Sequence, residues 1–274
     1  MATVAAIQLC SSDNVDENLK TVAGLIQKAA LRGAKLIVLP EMFAVMTNKK
    51  TDLLNIKEKH GIGKIQDALS QFASQNQAWI VAGTIPIECD DKNKIRAACM
   101  VYNDRGEIVA RYDKMHLFDA VISETESYKE SDTTEAGNKV IVIDSPFGKL
   151  GLAVCYDIRF PALFTALQNK GAEIITIPTA FTVKTGEAHW QLLMRARAVE
   201  TFSYMIGACQ GGAHANGRKT YGHSMIIEPW GTVVAEITQP GNGIIYADID
   251  LKKLHHIRKI MPVHTHQKIT LNAS

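Results

Sequence analysis

Apolar and polar positions along the first forty residues predict a strand, a helix and a second strand. Residues 4–9 predict the first strand, and apolar side chains then recur at helical spacing: Val15, Leu19, Val22, Ile26 and Ala29. Asp13 or Asn14 is available to cap the start of this helix, and Gly33 to end it. Residues 36–39 are apolar without interruption, which is typical of a strand buried on both faces of an α/β sheet.

The rest of the first half carries weaker signals. We predict a helix at 62–73 and strands at 79–85, 97–102 and 107–112. Turn-forming residues at 103–106 separate the last two strands and favour a hairpin. Residues 120–138 are mostly polar, so we expect a long surface loop there.

The second half repeats the first in outline, with a strand at 150–155, a helix at 161–169 and a strand at 173–177. Residues 171–181 align with residues 33–43 and share glycine, alanine, isoleucine, proline and phenylalanine, which indicates two related strand-helix-strand layers. Further elements then close the core: a helix at 187–202 and strands at 204–209, 223–227, 233–237 and 243–249. No linker separates the halves, so we predict one domain over residues 1–274.

Composition and charge exclude several classes of function. The 274 residues carry a formal net charge of only +2, and the 30 basic residues are scattered, so we expect no nucleic-acid partner. Neither a signal-peptide pattern nor an apolar run of membrane length occurs. We therefore expect a cytoplasmic protein with no membrane partner.

Cysteine, histidine and glycine spacings indicate neither a metal nor a cofactor. The five cysteines lie far apart, without a CxxC pair: Cys10, Cys89, Cys99, Cys155 and Cys209. Histidines at 255, 256, 264 and 266 lack other ligands at metal spacing, and we expect a tail or an interface there. Gly211, Gly212 and Gly217 surround His214 in an expected flexible loop, and no GxGxxG motif follows a strand.

Three reactive side chains each follow a predicted strand: Glu41, Lys114 and Cys155. Ligands of α/β proteins gather at such carboxyl ends. A thiol needs a base or a positive neighbour to react, and Glu41 and Lys114 supply one of each. Lys114 and the backbone N–H of Tyr156 are candidate donors to the oxyanion of an acyl-transfer intermediate. Taken singly, each of these residues also has an ordinary structural explanation, as packing or as a solvated charge.

Three segments around these residues resemble the signature segments of the nitrilase superfamily: 39–41 (LPE), 112–117 (YDKMHL) and 151–157 (GLAVCYD). The resemblance spans nearly the whole chain and implies a four-layer αββα sandwich. It also implies that Glu41 is general base and then acid, that Lys114 stabilises the oxyanion, and that Cys155 forms a thioester.

A second glutamate often lies in the loop after the lysine in this superfamily. Glu130, with Gly137 downstream, matches that segment best, and we take it as a fourth candidate catalytic residue. Glu124 and Glu126 lie close enough to remain alternatives.

The residues after the nucleophile indicate which branch of the superfamily this chain resembles. True nitrilases carry Trp-Glu there, whereas this chain carries Tyr156 and Asp157, which favours an amide substrate. Further segments resemble the Nit subgroup: 189–190, 195–200, 221–225 and 229–232. This resemblance implies hydrolysis of the γ-amide of deaminated glutathione, the 2-oxo analogue of glutathione, to 2-oxoglutarate and cysteinylglycine. The alternatives are ω-amidase activity on 2-oxoglutaramate, N-carbamoyl amidase activity and a non-catalytic interaction module.

Both oxoglutaryl substrates carry a carboxylate that needs a partner. Arg159, shortly after the nucleophile, suits a bidentate contact, and Phe181 and Thr185 follow the related strand end. The alternative for Arg159 is a structural ion pair with Asp157 or Glu200. The expected partner is thus a small-molecule amide, and the resemblance implies a homodimer or a larger homo-oligomer.

Overall fold

The computed structural model describes residues 1–47, 49–124 and 126–269. Its strands, in chain order, are β1 Ala2–Gln8, β2 Leu36–Leu39, β3 Trp79–Ala82, β4 Ile85–Glu88, β5 Ile95–Tyr102, β6 Ile108–Asp113, β7 Asp119–Val121, β8 Ser127–Lys129, β9 Val142–Ser145, β10 Gly148–Leu152, β11 Ile174–Thr179, β12 Tyr204–Cys209, β13 Gly211–Ala213, β14 Lys219–Tyr221, β15 Met225–Ile227, β16 Val233–Glu236 and β17 Gly243–Ile249. Its helices are α1 Val15–Leu31, α2 Leu53–Ile56, α3 Lys64–Asn76, α4 Pro161–Asn169, α5 Val183–Thr185, α6 Gln191–Thr201, α7 Leu251–Ile260 and α8 Val263–His266. A π-helical turn occurs at Gly186–Trp190, and 3₁₀ turns occur at Lys50–Asp52, Glu130–Asp132 and Cys155–Arg159.

Most of these strands form two sheets, each with a parallel centre. The first sheet has the order β17-β1-β2-β3-β5-β4, with β6 also paired to β5, and the second has the order β16-β15-β12-β11-β10-β9. Strands β1, β2 and β3 run parallel in the first sheet, as do β10, β11 and β12 in the second. The pairs β7–β8 and β13–β14 form separate hairpins.

The side-chain alternation of β1 shows how the layers stack. Val4 belongs to the apolar cluster that also holds the second sheet and helices α4 and α6. Ala5 and Ile7 point the other way and pack in a second cluster with α1 and α3. Each large aliphatic side chain buried in these clusters contributes about 1.5–3 kcal/mol. The order helix, sheet, sheet, helix is the αββα sandwich, and the predicted fold class is confirmed.

Backbone geometry supports the repeat seen in the sequence. Gly33 and Gly171 follow α1 and α4 with φ of +89° and +88°, a conformation that favours glycine. Two residues later, Lys35 and Glu173 donate their backbone N–H groups to the preceding strand at 2.9 and 2.8 Å. Each glycine therefore turns the chain from a helix into the middle strand of a parallel trio.

Two predicted strands end earlier than expected. The strand at 79–85 is divided into β3 and β4 at Gly83, which has φ of +43° and approaches the Pro40 carbonyl too closely for any Cβ. The strand at 150–155 ends at Leu152, because the chain turns sharply before Cys155. Both interruptions lie where the chain bends toward the candidate site.

Segments predicted as loops are partly ordered elements. Residues 120–138 include the end of β7, strand β8 and a 3₁₀ turn, and they bury Thr133 and Thr134, so this segment is not a surface loop throughout. The expected flexible loop around His214 is the β13–β14 hairpin, and His214 itself is buried. Short hairpins depend on tertiary contacts for stability, and a polar residue pattern does not register them.

The C-terminal histidines belong to helices rather than to a loose tail. Asp250 caps α7 with its side chain, and His255 on this helix bonds Glu173 next to β11. His264 and His266 lie on α8. No helix in the described ranges combines the length and the apolar character needed to cross a bilayer.

Candidate active site

Cys155 lies in a tight turn between a strand and a helix. Strand β10 ends at Leu152, and the 3₁₀ turn Cys155–Arg159 leads into α4. Cys155 has φ of +48°, a left-handed conformation that costs a non-glycine residue about 1–2 kcal/mol. Such strain persists only where the surroundings hold it, and it is frequent at functional sites.

The buried carboxylate of Asp157 holds this turn. Its Oδ2 accepts hydrogen bonds from the Val154 backbone N–H at 2.8 Å and from the Tyr112 hydroxyl at 2.6 Å. Its Oδ1 accepts the His116 backbone N–H at 3.1 Å and lies 2.6 Å from His116 Nδ1. Since Tyr112 and His116 flank Lys114 in the sequence, Asp157 ties the cysteine turn to the segment that carries the lysine. From the sequence, Asp157 serves to distinguish amidases from nitrilases and is a possible partner of Arg159, and its role in holding this turn is not predicted.

Lys114 is a buried ammonium held between two carboxylates. Its Nζ donates to Glu41 Oε1 at 2.8 Å and to the two carboxylate oxygens of Glu130 at 2.8 and 3.0 Å. Burial lowers the pKa of this ammonium, but Glu130 and Glu41 act more strongly and raise its pKa well above the ordinary value. Lys114 therefore stays positively charged throughout the physiological pH range.

The thiol of Cys155 is protonated in the resting site. Burial raises its pKa well above the ordinary value, and the Glu41 carboxylate adds to the rise. Lys114 and a hydrogen bond from the Ala180 backbone oppose this rise without cancelling it. Glu41 lines the same cavity and acts on the pKa of the thiol at short range, so it is placed to accept the proton during attack. Of the two activations considered from the sequence, the direction of this pKa shift favours the base over the positive neighbour.

Glu130 is the acidic residue of its segment that reaches the lysine. Besides Lys114, its Oε2 accepts the Phe118 backbone N–H at 2.6 Å, which fixes the carboxylate in place. Glu126, one of the two alternatives, instead accepts the Tyr128 hydroxyl at 2.8 Å. Glu124 is exposed and does not line the cavity.

These residues meet at one cavity of about 310 Å³. Every site residue predicted from the sequence lines it: Glu41, Lys114, Glu130, Cys155, Tyr156, Arg159, Phe181 and Thr185. The first three form a connected group of charges, and the others add the nucleophile, a guanidinium, aromatic rings and a hydroxyl. The structure therefore places a nucleophile, a base and candidate oxyanion donors around a volume fit for a small molecule.

Arg159 points its guanidinium along a wall of this cavity. The group lies over the rings of Tyr156 and Phe181, at 5.8 and 5.4 Å from their centres, with Nη1 3.3 Å from His189 Nδ1. The alternative ion pairs are not formed: Asp157 is occupied as described above, and Glu200 pairs with Arg197 at 2.6 Å. Arg159 thus packs on two aromatic rings and forms no ion pair with a described carboxylate.

Sequence reasoning missed Arg218, which also lines the cavity. It directly precedes β14, and its guanidinium lies over the Tyr128 ring, 5.1 Å from the centre. An arginine beside a turn glycine is ordinarily solvated, so the local pattern offered no reason to single it out. The local sequence contains only a group of turn residues around His214, which predicts a loop.

Residues 1–47, 49–124 and 126–269 contain no set of side chains that would bind a metal ion. No group of three or more histidine, cysteine, aspartate or glutamate side chains is arranged there to hold an ion. The acidic residues of the cavity are already engaged with Lys114. What the arrangement offers is acyl transfer by a thiol with a neighbouring base.

Comparisons with known proteins agree with this chemistry. Residues 3–259 match the family described as carbon-nitrogen hydrolase. The chain is 38% identical to deaminated glutathione amidase of Yersinia enterocolitica, covering 97% of this chain and 93% of the relative. It is 40% identical to deaminated glutathione amidase of Homo sapiens, covering 97% and 82%. The crystal structure of Saccharomyces cerevisiae Nit3, a member of branch 10 of the nitrilase superfamily, superposes with a TM-score of 0.85 at 31% identity, covering 96% and 94%.

Proposed function

The chain belongs to the carbon-nitrogen hydrolase family, and from this premise we propose that it hydrolyses the γ-amide of deaminated glutathione to 2-oxoglutarate and cysteinylglycine. One observation carries the reaction class: Cys155 and Glu41 line the same cavity, and Glu41 shares the buried Lys114 with Glu130. The names of the relatives support the choice of substrate.

The first half of the reaction forms a thioester. As the Cys155 sulfur attacks the amide carbon, its proton passes to Glu41, and the carbonyl oxygen becomes an oxyanion that Lys114 and the Tyr156 backbone N–H stabilise. The carbon-nitrogen bond then breaks, and Glu41 returns the proton to the leaving nitrogen. The products of this step are a free amine and an acyl group on the sulfur.

The second half consumes water and restores the enzyme. Glu41, again a carboxylate, takes a proton from a water molecule that attacks the thioester carbon. Lys114 stabilises the second oxyanion, and the carbon-sulfur bond breaks to release the carboxylic acid. The proton on Glu41 passes to the sulfur, which returns Cys155 to its resting thiol.

Arg159 is the proposed partner of the 2-oxo acid carboxylate. Its guanidinium lines the cavity, packs on aromatic rings and forms no described ion pair, so the N–H groups at its edge that do not face His189 are available to a planar carboxylate. Phe181 packs against the acyl chain, and Thr185 supplies a hydroxyl nearby.

The same proposal covers partners and location. We propose a single domain over residues 1–274 that acts on a small amide in the cytoplasm, without nucleic acid, membrane, metal or cofactor. The five cysteines are all free thiols, which suits a reducing compartment.

We also propose a homodimer or a larger homo-oligomer. Three exposed apolar side chains lie together on one face of the molecule, and we call them the α6 patch: Leu192, Val199 and Trp230, which are 69%, 41% and 51% exposed. Leu192 and Val199 are seven residues apart on α6 and share a helix face, and Gly231 next to Trp230 abuts Val199. Contiguous exposed apolar groups of this kind mark interaction surfaces.

Mass spectrometry and steady-state kinetics test the proposed reaction. Mixed with deaminated glutathione, the protein should carry a 2-oxoglutaryl adduct on Cys155, and kcat/KM should be higher for deaminated glutathione than for 2-oxoglutaramate or an N-carbamoyl amino acid. Cys155→Ala should lose both adduct and turnover, whereas Cys89→Ala, outside the cavity, should keep both.

Three results would count against it. Undiminished hydrolysis by Cys155→Ala would remove the nucleophile, and a preference for the N-carbamoyl compound would replace the substrate. An intact protein that forms no adduct with any of the three compounds would favour the interaction module.

A further inference from the structure

The guanidinium of Arg218 lines the active-site cavity with its hydrogen-bonding capacity largely unused. Its Nη2 donates to the Ala180 carbonyl at 2.6 Å, while Nη1 donates to the weak sulfur acceptors of Met42 and Met46, at 3.7 and 3.8 Å. Its Nε is buried and has no hydrogen-bond partner among the described residues. A buried donor left without a partner is costly, which points to a ligand that completes the set.

An anion is the ligand that matches these donors best. The acidic residues that line the cavity are Glu41 and Glu130, and both are bound to Lys114. Glu126 is bonded to the Tyr128 hydroxyl, and none of the described carboxylates forms an ion pair with Arg218. A guanidinium fork in this setting matches a carboxylate, which accepts two parallel hydrogen bonds.

Arg218 lies one residue away from the nucleophile through Ala180. The Ala180 carbonyl accepts from Arg218, and the Ala180 backbone lowers the pKa of the Cys155 thiol. Arg159 contacts a different wall, formed by Tyr156, Phe181 and His189. Two guanidinium groups therefore line the same cavity, each held by a separate set of contacts.

The β13–β14 hairpin holds Arg218 in a fixed position. The Asn216 side chain accepts the Arg218 backbone N–H at 2.9 Å and donates to the Thr47 carbonyl at 2.8 Å. The Tyr128 ring lies against the guanidinium. A group that is already ordered loses little entropy when a ligand binds, so this arginine is prepared for recognition.

We propose that the cavity selects an amide with a carboxylate on each side of the scissile bond, Arg159 taking the carboxylate of the acyl half and Arg218 that of the leaving group. This inference rests on the proposed function and deepens it. Deaminated glutathione carries both carboxylates, because its leaving group ends in glycine. 2-Oxoglutaramate carries only the first and releases ammonia. Arg218 is then the residue that distinguishes the two substrates.

The first test uses the wild-type enzyme and altered substrates. Deaminated glutathione is compared with the same molecule bearing a C-terminal glycinamide, which removes one negative charge and leaves the scissile bond unchanged. We expect kcat/KM to fall roughly 10- to 100-fold for the glycinamide, since a hydrogen-bonded charge pair is lost. Equal kcat/KM values for the two compounds would overturn the inference.

The second test uses variants at both arginines. Arg218→Gln should lower kcat/KM for deaminated glutathione roughly 10- to 100-fold more than it lowers kcat/KM for 2-oxoglutaramate. Arg159→Gln should lower both. Arg218→Lys, which keeps the charge and loses the fork, should fall between wild type and Arg218→Gln. Lys219→Gln, an exposed neighbour on the hairpin, is the matched control and should change neither.

The outcomes separate this inference from the proposed function. If Arg218→Gln lowers both substrates by the same factor, Arg218 does not recognise the leaving group, although the amidase assignment stands. If the wild type hydrolyses no oxoglutaryl amide at all, the proposed function fails and this inference with it. Circular dichroism melts identify a variant that has not folded. In that case the wild-type comparison of deaminated glutathione with its glycinamide decides the question.

Discussion

The chemistry of Cys155 depends on a balance among neighbouring charges. Its sulfur is buried next to a carboxylate and near an ammonium, and burial together with Glu41 outweighs Lys114 in setting its pKa. Lys114 in turn keeps its charge because Glu130 and Glu41 flank it. Glu130 thus acts on the reaction through the lysine, as a positioning residue. A resting thiol with an adjacent base avoids exposing a permanent thiolate to oxidants and other electrophiles.

Replacing Glu41 by Gln should separate reactivity of the sulfur from turnover. Loss of the base should lower kcat at least about 100-fold, because proton transfer from the thiol loses its acceptor. The same change removes a negative neighbour, so the pKa of Cys155 should fall. Iodoacetamide alkylation measured against pH should therefore show its midpoint at lower pH in the variant than in wild type.

The control for that experiment is Glu88→Gln, an exposed glutamate outside the cavity, which should change neither quantity. If the midpoint instead moved to higher pH in Glu41→Gln, the Glu41 carboxylate would not be raising the pKa of the Cys155 thiol, and this account would be wrong.

Short elements carry much of the active site. Asp157 holds the 3₁₀ turn that begins at Cys155. His214 holds the β13–β14 hairpin that carries Arg218. Both are buried polar side chains. His214 Nδ1 lies 2.9 Å from the Ser11 carbonyl, and Nε2 lies 2.7 Å from the Thr220 hydroxyl. This ring joins the hairpin to the segment after β1.

The stability of the protein should fall at mildly acid pH because of His214. Burial, with a contribution from Arg218, lowers the pKa of this histidine below its ordinary value of 6.5. Below that pH the unfolded chain binds a proton that the folded chain does not, so the free energy of unfolding decreases as pH falls through 6.5 toward the folded-state pKa. Above 6.5 the contribution is constant.

Urea denaturation at several pH values measures this effect, and His214→Gln is the reference. The variant should be less stable at every pH, with a shallower loss of the free energy of unfolding between pH about 7 and about 5.5. Parallel curves for variant and wild type would show that other groups cause the dependence.

The whole molecule assembles the site from both of its sheets. Glu41 and Lys114 follow β2 and β6 of the first sheet, while Cys155 follows β10 of the second. The site therefore forms only when the two sheets are stacked, so catalytic competence and global folding should be lost together.

The α6 patch provides a test of assembly. Combining Leu192→Lys with Val199→Lys places two charges on this face and should convert the proposed oligomer to a monomer in light scattering behind gel filtration. Leu31→Lys changes a still more exposed leucine at the end of α1 and should leave the mass unchanged. A wild-type protein that is monomeric at all concentrations would contradict the proposal.

The sequence by itself determined the parts that depend on local pattern. Apolar runs located the central strands, the resemblance of residues 39–41, 112–117 and 151–157 to known segments indicated the αββα fold and the reacting residues, and the aligned glycines at 33 and 171 located the repeat. These features survive because backbone sterics and strand burial act within short stretches of chain.

Only the tertiary structure decided which side chains face one another. Three results depend on contacts between side chains that the sequence pattern does not relate. Glu130 rather than Glu126 binds Lys114, and Arg159 pairs with neither Asp157 nor Glu200. Arg218 lines the cavity. The protonation of Cys155 belongs to the same group, because desolvation and charge act through space and leave no mark on sequence spacing.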